Sequence, residues 1–236
     1  MNSNKYKIKL TRVYNNFFKK IGINKKTGQI NSKKNKKFPA YPFIGSKYGK
    51  TKKILVIGLD IGKDPKEGGV LSLEERREII EDKKINEHKS PYLPGVYISA
   101  LYFLKKEKKW NKNWNNVKFI SFQKALKKPE LLPKENPLSF IAFTNFFKFV
   151  TIYRKRKSGN KDRTHINKKK EEQLLIDEVK ILNPDIILFH SKSFSNKKEI
   201  ISKLKKFKNK IFIGPHPSYH GKKESKYFIN QYEKLK

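Results

Sequence analysis

Asp60 and His216 are the residues of this chain best placed for acid/base or electrostatic chemistry, because each follows a short apolar run ending in a glycine-bearing turn. The runs are Ile54-Leu55-Val56-Ile57-Gly58-Leu59-Asp60-Ile61-Gly62 and Ile211-Phe212-Ile213-Gly214-Pro215-His216-Pro217-Ser218. If both are buried parallel strands, the carboxylate and the imidazole share the carboxyl edge of one sheet, where open α/β folds place their ligands. Gly58 and Gly62 remove side chains where the backbone turns, so a small ligand can approach main-chain N–H groups. Asp60 in such a loop equally suits a turn or capping role. His216 lies between Pro215 and Pro217, on backbone too stiff for a helix interior. That placement fits fixed hydrogen bonding better than core filling.

A third segment, Ile141-Ala142-Phe143-Thr144-Asn145-Phe146-Phe147-Lys148-Phe149, runs from an apolar strand into an amide. Asn145 offers a donor and an acceptor, as reading a nucleobase edge requires, and is also an ordinary residue for a strand end. His216-x3-His220 has a metal-like spacing but falls on a proline-bearing turn, so no metal is expected. The Gly-x4-Gly-Lys-Ser/Thr phosphate loop is missing, and Gly58-x3-Gly62 is too degenerate for a dinucleotide fingerprint.

Apolar runs alternating with helical periodicity from residue 54 onward must position these groups, which predicts an α/β fold with a mostly parallel sheet. Strands are expected at Ile54–Leu59, Ser139–Thr144, Asp185–Phe189 and Lys210–Ile213. Helices are expected at Leu73–Lys83, Val96–Lys105, Glu171–Ile181, Lys197–Lys206 and Lys226–Lys234, with Ser72 capping the first. Residues 1–50 read as a basic, aromatic-rich arm without sustained period, ahead of an α/β domain over 51–236. Within the arm Lys33–Lys37 reads as a solvated loop and Phe38–Phe43 as a piece packed on the body. Its aromatics suit packing, or stacking on unpaired bases. The run Arg154–Lys161 reads as an exposed loop that grips phosphate or is merely solvated.

The chain has 236 residues, enough to bury a real core in one domain. Its 57 basic residues against 21 acidic ones give a formal charge of +36, which attracts polyanions and makes such binding salt-dependent. Only six of the basic residues are arginine and the other 51 are lysine, so part of this charge reflects compositional habit. Lysine is a point charge without the guanidinium fork that reads guanine, so the excess implies attraction to a nucleic-acid backbone rather than sequence readout. With no cysteine there is no disulfide, no cysteine-ligated metal or iron–sulfur cluster and no thiol nucleophile. No apolar leader or membrane-spanning run is visible, so a cytoplasmic monomer associated with DNA, not membrane, is expected.

Taken in order, the three motifs resemble those of the uracil-DNA glycosylase superfamily over roughly residues 52–225. Gly58-Leu59-Asp60-Ile61-Gly62 looks like its first-strand loop, Thr144-Asn145-Phe146-Phe147-Lys148 like its middle asparagine segment, and His216-Pro217-Ser218 like its last His-Pro-Ser loop. The resemblance implies a three-layer α/β/α domain with about four central strands. It also implies hydrolysis of the N-glycosidic bond of uracil or another damaged or modified base flipped out of DNA, leaving an abasic site without cofactor. By that resemblance Asp60 orients water and stabilises charge developing on the sugar, and His216 hydrogen-bonds the departing base. Asn145 reads the base edge beside Gly58 and Gly62, and Tyr92 stacks on the base, with Phe43 as the other aromatic considered. Ser218, Tyr219 and His220 press the DNA backbone or fill the gap left by the flipped base, and Lys148, Arg154 and Arg156 are expected to meet the DNA.

Two departures mark a divergent branch. Ile61 stands where the family has proline, and Gly62-Lys63 stands where its most active branch has Tyr-His. The absence of cysteine excludes the iron–sulfur branches. A non-catalytic nucleic-acid-binding module on the same fold and a nucleoside- or nucleotide-processing α/β enzyme are the alternative readings.

Overall fold

The computed structural model describes residues 3–61, 69–87, 92–152 and 163–235, without the side chains of Lys34, Asn86 and Tyr219. Its centre is a six-stranded sheet in the order β3 (Phe43–Ile44), β5 (Ile141–Asn145), β4 (Ile54–Gly58), β7 (Ile186–His190), β8 (Lys210–Gly214) and β9 (Glu233–Lys234). The inner four strands are parallel and each edge strand is antiparallel to its neighbour. A separate antiparallel sheet joins β1 (Gln29–Ile30), β2 (Lys33–Lys37) and β6 (Val150–Thr151).

The inner strands are apolar throughout because both faces are covered, as parallel sheets require. Ile54, Val56, Ile186 and Leu188 pack under α3 (Tyr92–Leu104), α4 (Lys108–Val117), the short α5 (Phe122–Ala125) and α8 (Ser225–Asn230). Leu55, Ile57, Ile187, Phe189, Ile211 and Ile213 pack under α1 (Asn4–Ile21), α6 (Lys168–Leu182) and α7 (Lys198–Lys205). Helices therefore lie on both faces of a mostly parallel sheet. Among the described residues no helix is long and apolar enough to cross a membrane.

Ser72 caps α2 (Leu73–Arg77) as expected: its hydroxyl accepts from Glu75 N–H at 3.1 Å while the Glu75 carboxylate accepts from Ser72 N–H. The helix continues to Asp82 as a widened π turn. α3 begins four residues before the expected Val96, since Pro94 falls in its first turn, where a missing N–H costs nothing.

Three expectations require correction. The N-terminal fifty residues do have a period: Tyr6, Leu10, Tyr14, Phe17 and Phe18 form the buried stripe of α1, ended by left-handed Gly22. Lysines on the outer face mask this stripe, which joins an aromatic cluster with Phe38 and Phe149. Lys33–Lys37 is not a solvated loop but strand β2, whose Lys36 and Lys37 are buried, Lys36 Nζ donating to Thr151 Oγ1 at 2.7 Å. The C-terminal helix stops at Asn230, and the chain turns into edge strand β9 on β8.

Candidate active site

Parallel register sets the site. Gly58 pairs with Asn145, and His190 pairs with Gly214, while β4 and β7 match up to Ile57 and Phe189. Asn145, Gly58, His190 and Gly214 thus form one row across the carboxyl edge, and strand alternation turns all four toward the α3 face. The chain leaves β4 for β5 on one side and returns to β7 on the other, so the row straddles the topological switch point where such sheets bind ligands.

The two glycines in the row make room for tyrosines. A Cβ on Gly58 would lie 2.5 Å from the Tyr92 hydroxyl and 3.0 Å from Asn145 Oδ1, and one on Gly214 would collide with the Tyr232 ring. The Tyr92 ring also lies 5.2 Å from the His216 ring and 5.8 Å from that of His190. Gly95, one α3 turn on, is packed so closely on Pro217 that any larger residue would displace the His216 turn. The start of α3 therefore locks Tyr92 and His216 together.

Asp60, Tyr92, Asn145 and His216 are brought into this neighbourhood from four separate segments. The Asp60 side chain is only 2% exposed and its Oδ2 accepts from Arg163 Nε at 2.9 Å. His216 caps the Pro217–Tyr219 turn, its Nδ1 accepting a long hydrogen bond from Ser218 N–H at 3.4 Å. Burial first, then the Arg163 charge, lowers the His216 pKa to about 4, against the pull of Asp60. At neutral pH the ring is uncharged, and with Nδ1 accepting, its proton resides on Nε2 as a donor. Asn145 Oδ1 is buried with no hydrogen-bond partner among the described residues. Burial also holds the Tyr92 phenol well above its usual range, so it stays a neutral hydroxyl. The ensemble can stabilise positive charge at Asp60 and meet developing negative charge with a neutral imidazole N–H.

Other expected residues fall elsewhere. Lys148 does not reach DNA: its side chain is 2% exposed and ion-paired with fully buried Glu178 at 2.7 Å, a carboxylate that Tyr14 also bonds. It lies next to Asn145 in sequence, but an ammonium turned into the core needs a carboxylate there. Phe43 pairs with Phe143 at the sheet edge and is fully buried in the core, so it cannot serve as the stacking aromatic. Ser218 and His220 stay beside His216, with the His220 ring against Tyr227 and Phe228. Gly62, Lys63, Arg154 and Arg156 lie outside the described residues, as does the Tyr219 side chain.

Residues not singled out from the sequence complete the site. Arg163 reaches Asp60, and Arg76, 6% exposed, places its guanidinium 5.2 Å from the Phe143 ring centre. Burial lowers the Arg76 pKa to about 10, opposed by Tyr14, Tyr92 and Glu178. The scarcity of arginine in a lysine-rich chain was the signal that could have found both. His190 is fully buried with its pKa lowered to about 3 by burial. Ser99 Oγ donates to Gly95 O, so the Tyr232 hydroxyl donates to Ser99 and must accept from His190 Nε2 at 2.7 Å. That proton count leaves His190 Nδ1 an unprotonated, buried acceptor with no hydrogen-bond partner among the described residues.

Among the described residues no group of three His, Asp or Glu side chains could hold a metal ion. No family model, curated protein or solved structure matches the chain.

Proposed function

We propose that this chain is a DNA N-glycosylase of a divergent uracil-DNA glycosylase type, acting on a flipped base admitted over Gly58 when Tyr92 moves aside. The observation that carries the reading is the meeting of Asp60, Asn145 and neutral His216 around Tyr92 at one sheet edge. In the proposed reaction the base departs as an anion met by His216 Nε2–H, while the Asp60 carboxylate stabilises the cationic sugar and orients the attacking water. Asn145 bonds the base edge, and Tyr92 moves from over Gly58 to stack on its face. Arg163 positions Asp60 and, by its charge, favours neutral His216. The lysine surface gathers DNA electrostatically.

A second reading, a binding module without catalysis, is favoured by one observation. Tyr92 fills the space over Gly58, and the cavity beside Asn145 has a volume of only ≈ 10 Å³, about one water.

The test incubates the protein with single- and double-stranded oligonucleotides carrying uracil, hypoxanthine, xanthine or modified cytosine, followed by alkaline cleavage of abasic sites. Strand cleavage at one of these bases is expected. Its absence for every base, at a salt concentration where binding is measurable, would sink the glycosylase and leave the binding module. Given activity, Asp60→Ala and His216→Ala are each expected to reduce the rate about 100-fold or more while retaining DNA affinity. Parallel loss of affinity would make them structural instead.

A further inference from the structure

The α3 face of the sheet holds a groove at its opposite, amino edge, with a volume of ≈ 230 Å³. Tyr102 and Phe103 from the last α3 turn, Phe212 of β8 and Tyr232 give it an aromatic lining. Four lysines complete it: Lys52 just before β4, Lys210 at the start of β8, and Lys105 and Lys106 just beyond α3. Among the described residues no carboxylate lines the groove, and none of the four has an ion-pair partner. Lys105 Nζ instead lies 3.9 Å from the Tyr102 ring centre.

We propose that this groove is a second binding site, for an aromatic base bearing a phosphate: a free nucleotide or the terminal nucleotide of a nucleic-acid strand. Aromatic walls stack any base, and lysines supply mobile point charges that follow a phosphate. The volume accommodates a base within the groove, leaving the phosphate at the lysine rim. Cations are favoured at a helix carboxyl end, which accounts for Lys105 and Lys106. It does not account for Lys52 and Lys210, which converge on the same space from two strand starts. The lysines of the groove lie at the other end of the strands from Asp60 and His216, so its occupancy stands whether or not the chain is a glycosylase.

The test titrates the full chain by calorimetry with AMP, adenosine, inorganic phosphate and a 5′-phosphorylated single-stranded octathymidylate. It compares Lys105→Gln/Lys210→Gln with Lys127→Gln/Lys128→Gln, a pair of exposed lysines elsewhere, with all proteins checked by thermal melting. Saturable AMP binding, about tenfold weaker in the groove variant but not in the control variant, is expected for a free nucleotide. Saturable binding of the octathymidylate alone, with the same variant pattern, identifies a strand end. Equal losses in both variants would reduce the site to general charge and overturn the proposal. So would phosphate or adenosine binding as tightly as AMP, or no saturable binding of either nucleotide probe.

Discussion

Arg163 sits 2.9 Å from Asp60 and its charge also bears on His216, so one guanidinium biases two neighbouring groups. Asp60 pulls the imidazole pKa up, whereas Arg163 and His220 push it down, all set against the dominant effect of burial. Removing Arg163 therefore moves the His216 pKa upward from about 4, toward its ordinary value. We expect Arg163→Gln to raise it in an NMR titration of the ring. Because the neutral ring is the proposed donor, the acid limb of the kcat/KM profile should shift to higher pH. An unmoved imidazole titration would remove this positioning role, independently of any assay for base excision. Lys148 makes the contrasting case, since burial lowers its pKa despite the opposing pull of Glu178. Lys148→Met leaves Glu178 buried without its cation and should cost about 3–5 kcal/mol of stability in urea unfolding, with DNA affinity of the folded protein unchanged. Weakened DNA binding without a stability loss would place Lys148 on the nucleic acid after all.

At the scale of elements, the contact between α3 and the turn after β8 decides whether Tyr92 and His216 meet. Gly95 allows that contact because Pro217 occupies the volume a side chain would need. Gly95→Ala forces the turn outward, against the slight gain in helix propensity that alanine brings. We expect about 1–3 kcal/mol of net destabilisation, read by urea unfolding, and a loss of base-excision rate larger than the loss of DNA affinity. Stability and rate both unchanged would show that the helix and turn can separate without consequence. The same scale explains the N-terminal errors of sequence reading. α1 carries a regular aromatic stripe, but lysine at so many outward positions hides its period, so that residues 1–50 read as an arm without one. β2 is stranger still, a lysine run ordered by pairing with β6 and by burial of Lys36 and Lys37, which neither propensity nor pattern contains.

For the whole molecule, a +36 chain has an electrostatic field dominated by lysine. DNA affinity should fall by about tenfold or more between roughly 50 and 200 mM salt, measured by fluorescence anisotropy with an unmodified duplex. Salt-independent affinity would deny the lysine surface its role in gathering DNA. The residues of the proposed chemistry and the lysines of the groove lie at opposite ends of the same strands, with Tyr232 reaching from the groove to His190. One sheet thus separates a polar, arginine-supported edge from an aromatic edge ringed by lysine.

By itself the sequence determined the parallel strands, the carboxyl-edge placement of Asp60, Asn145 and His216, the Ser72 cap and the polyanion-attracting charge. These follow from local apolar runs, proline and glycine punctuation and formal charge, none of which needs a partner to be legible. Tertiary structure alone decided that Arg163 reaches Asp60, that Lys148 turns inward to Glu178 and that Tyr92 lies over Gly58. It also decided that His190 is locked through Tyr232 and Ser99 with its Nδ1 unprotonated. The physical reason is common to all four: each depends on side chains far apart in sequence, whose desolvation is offset only by the particular neighbours that packing supplies.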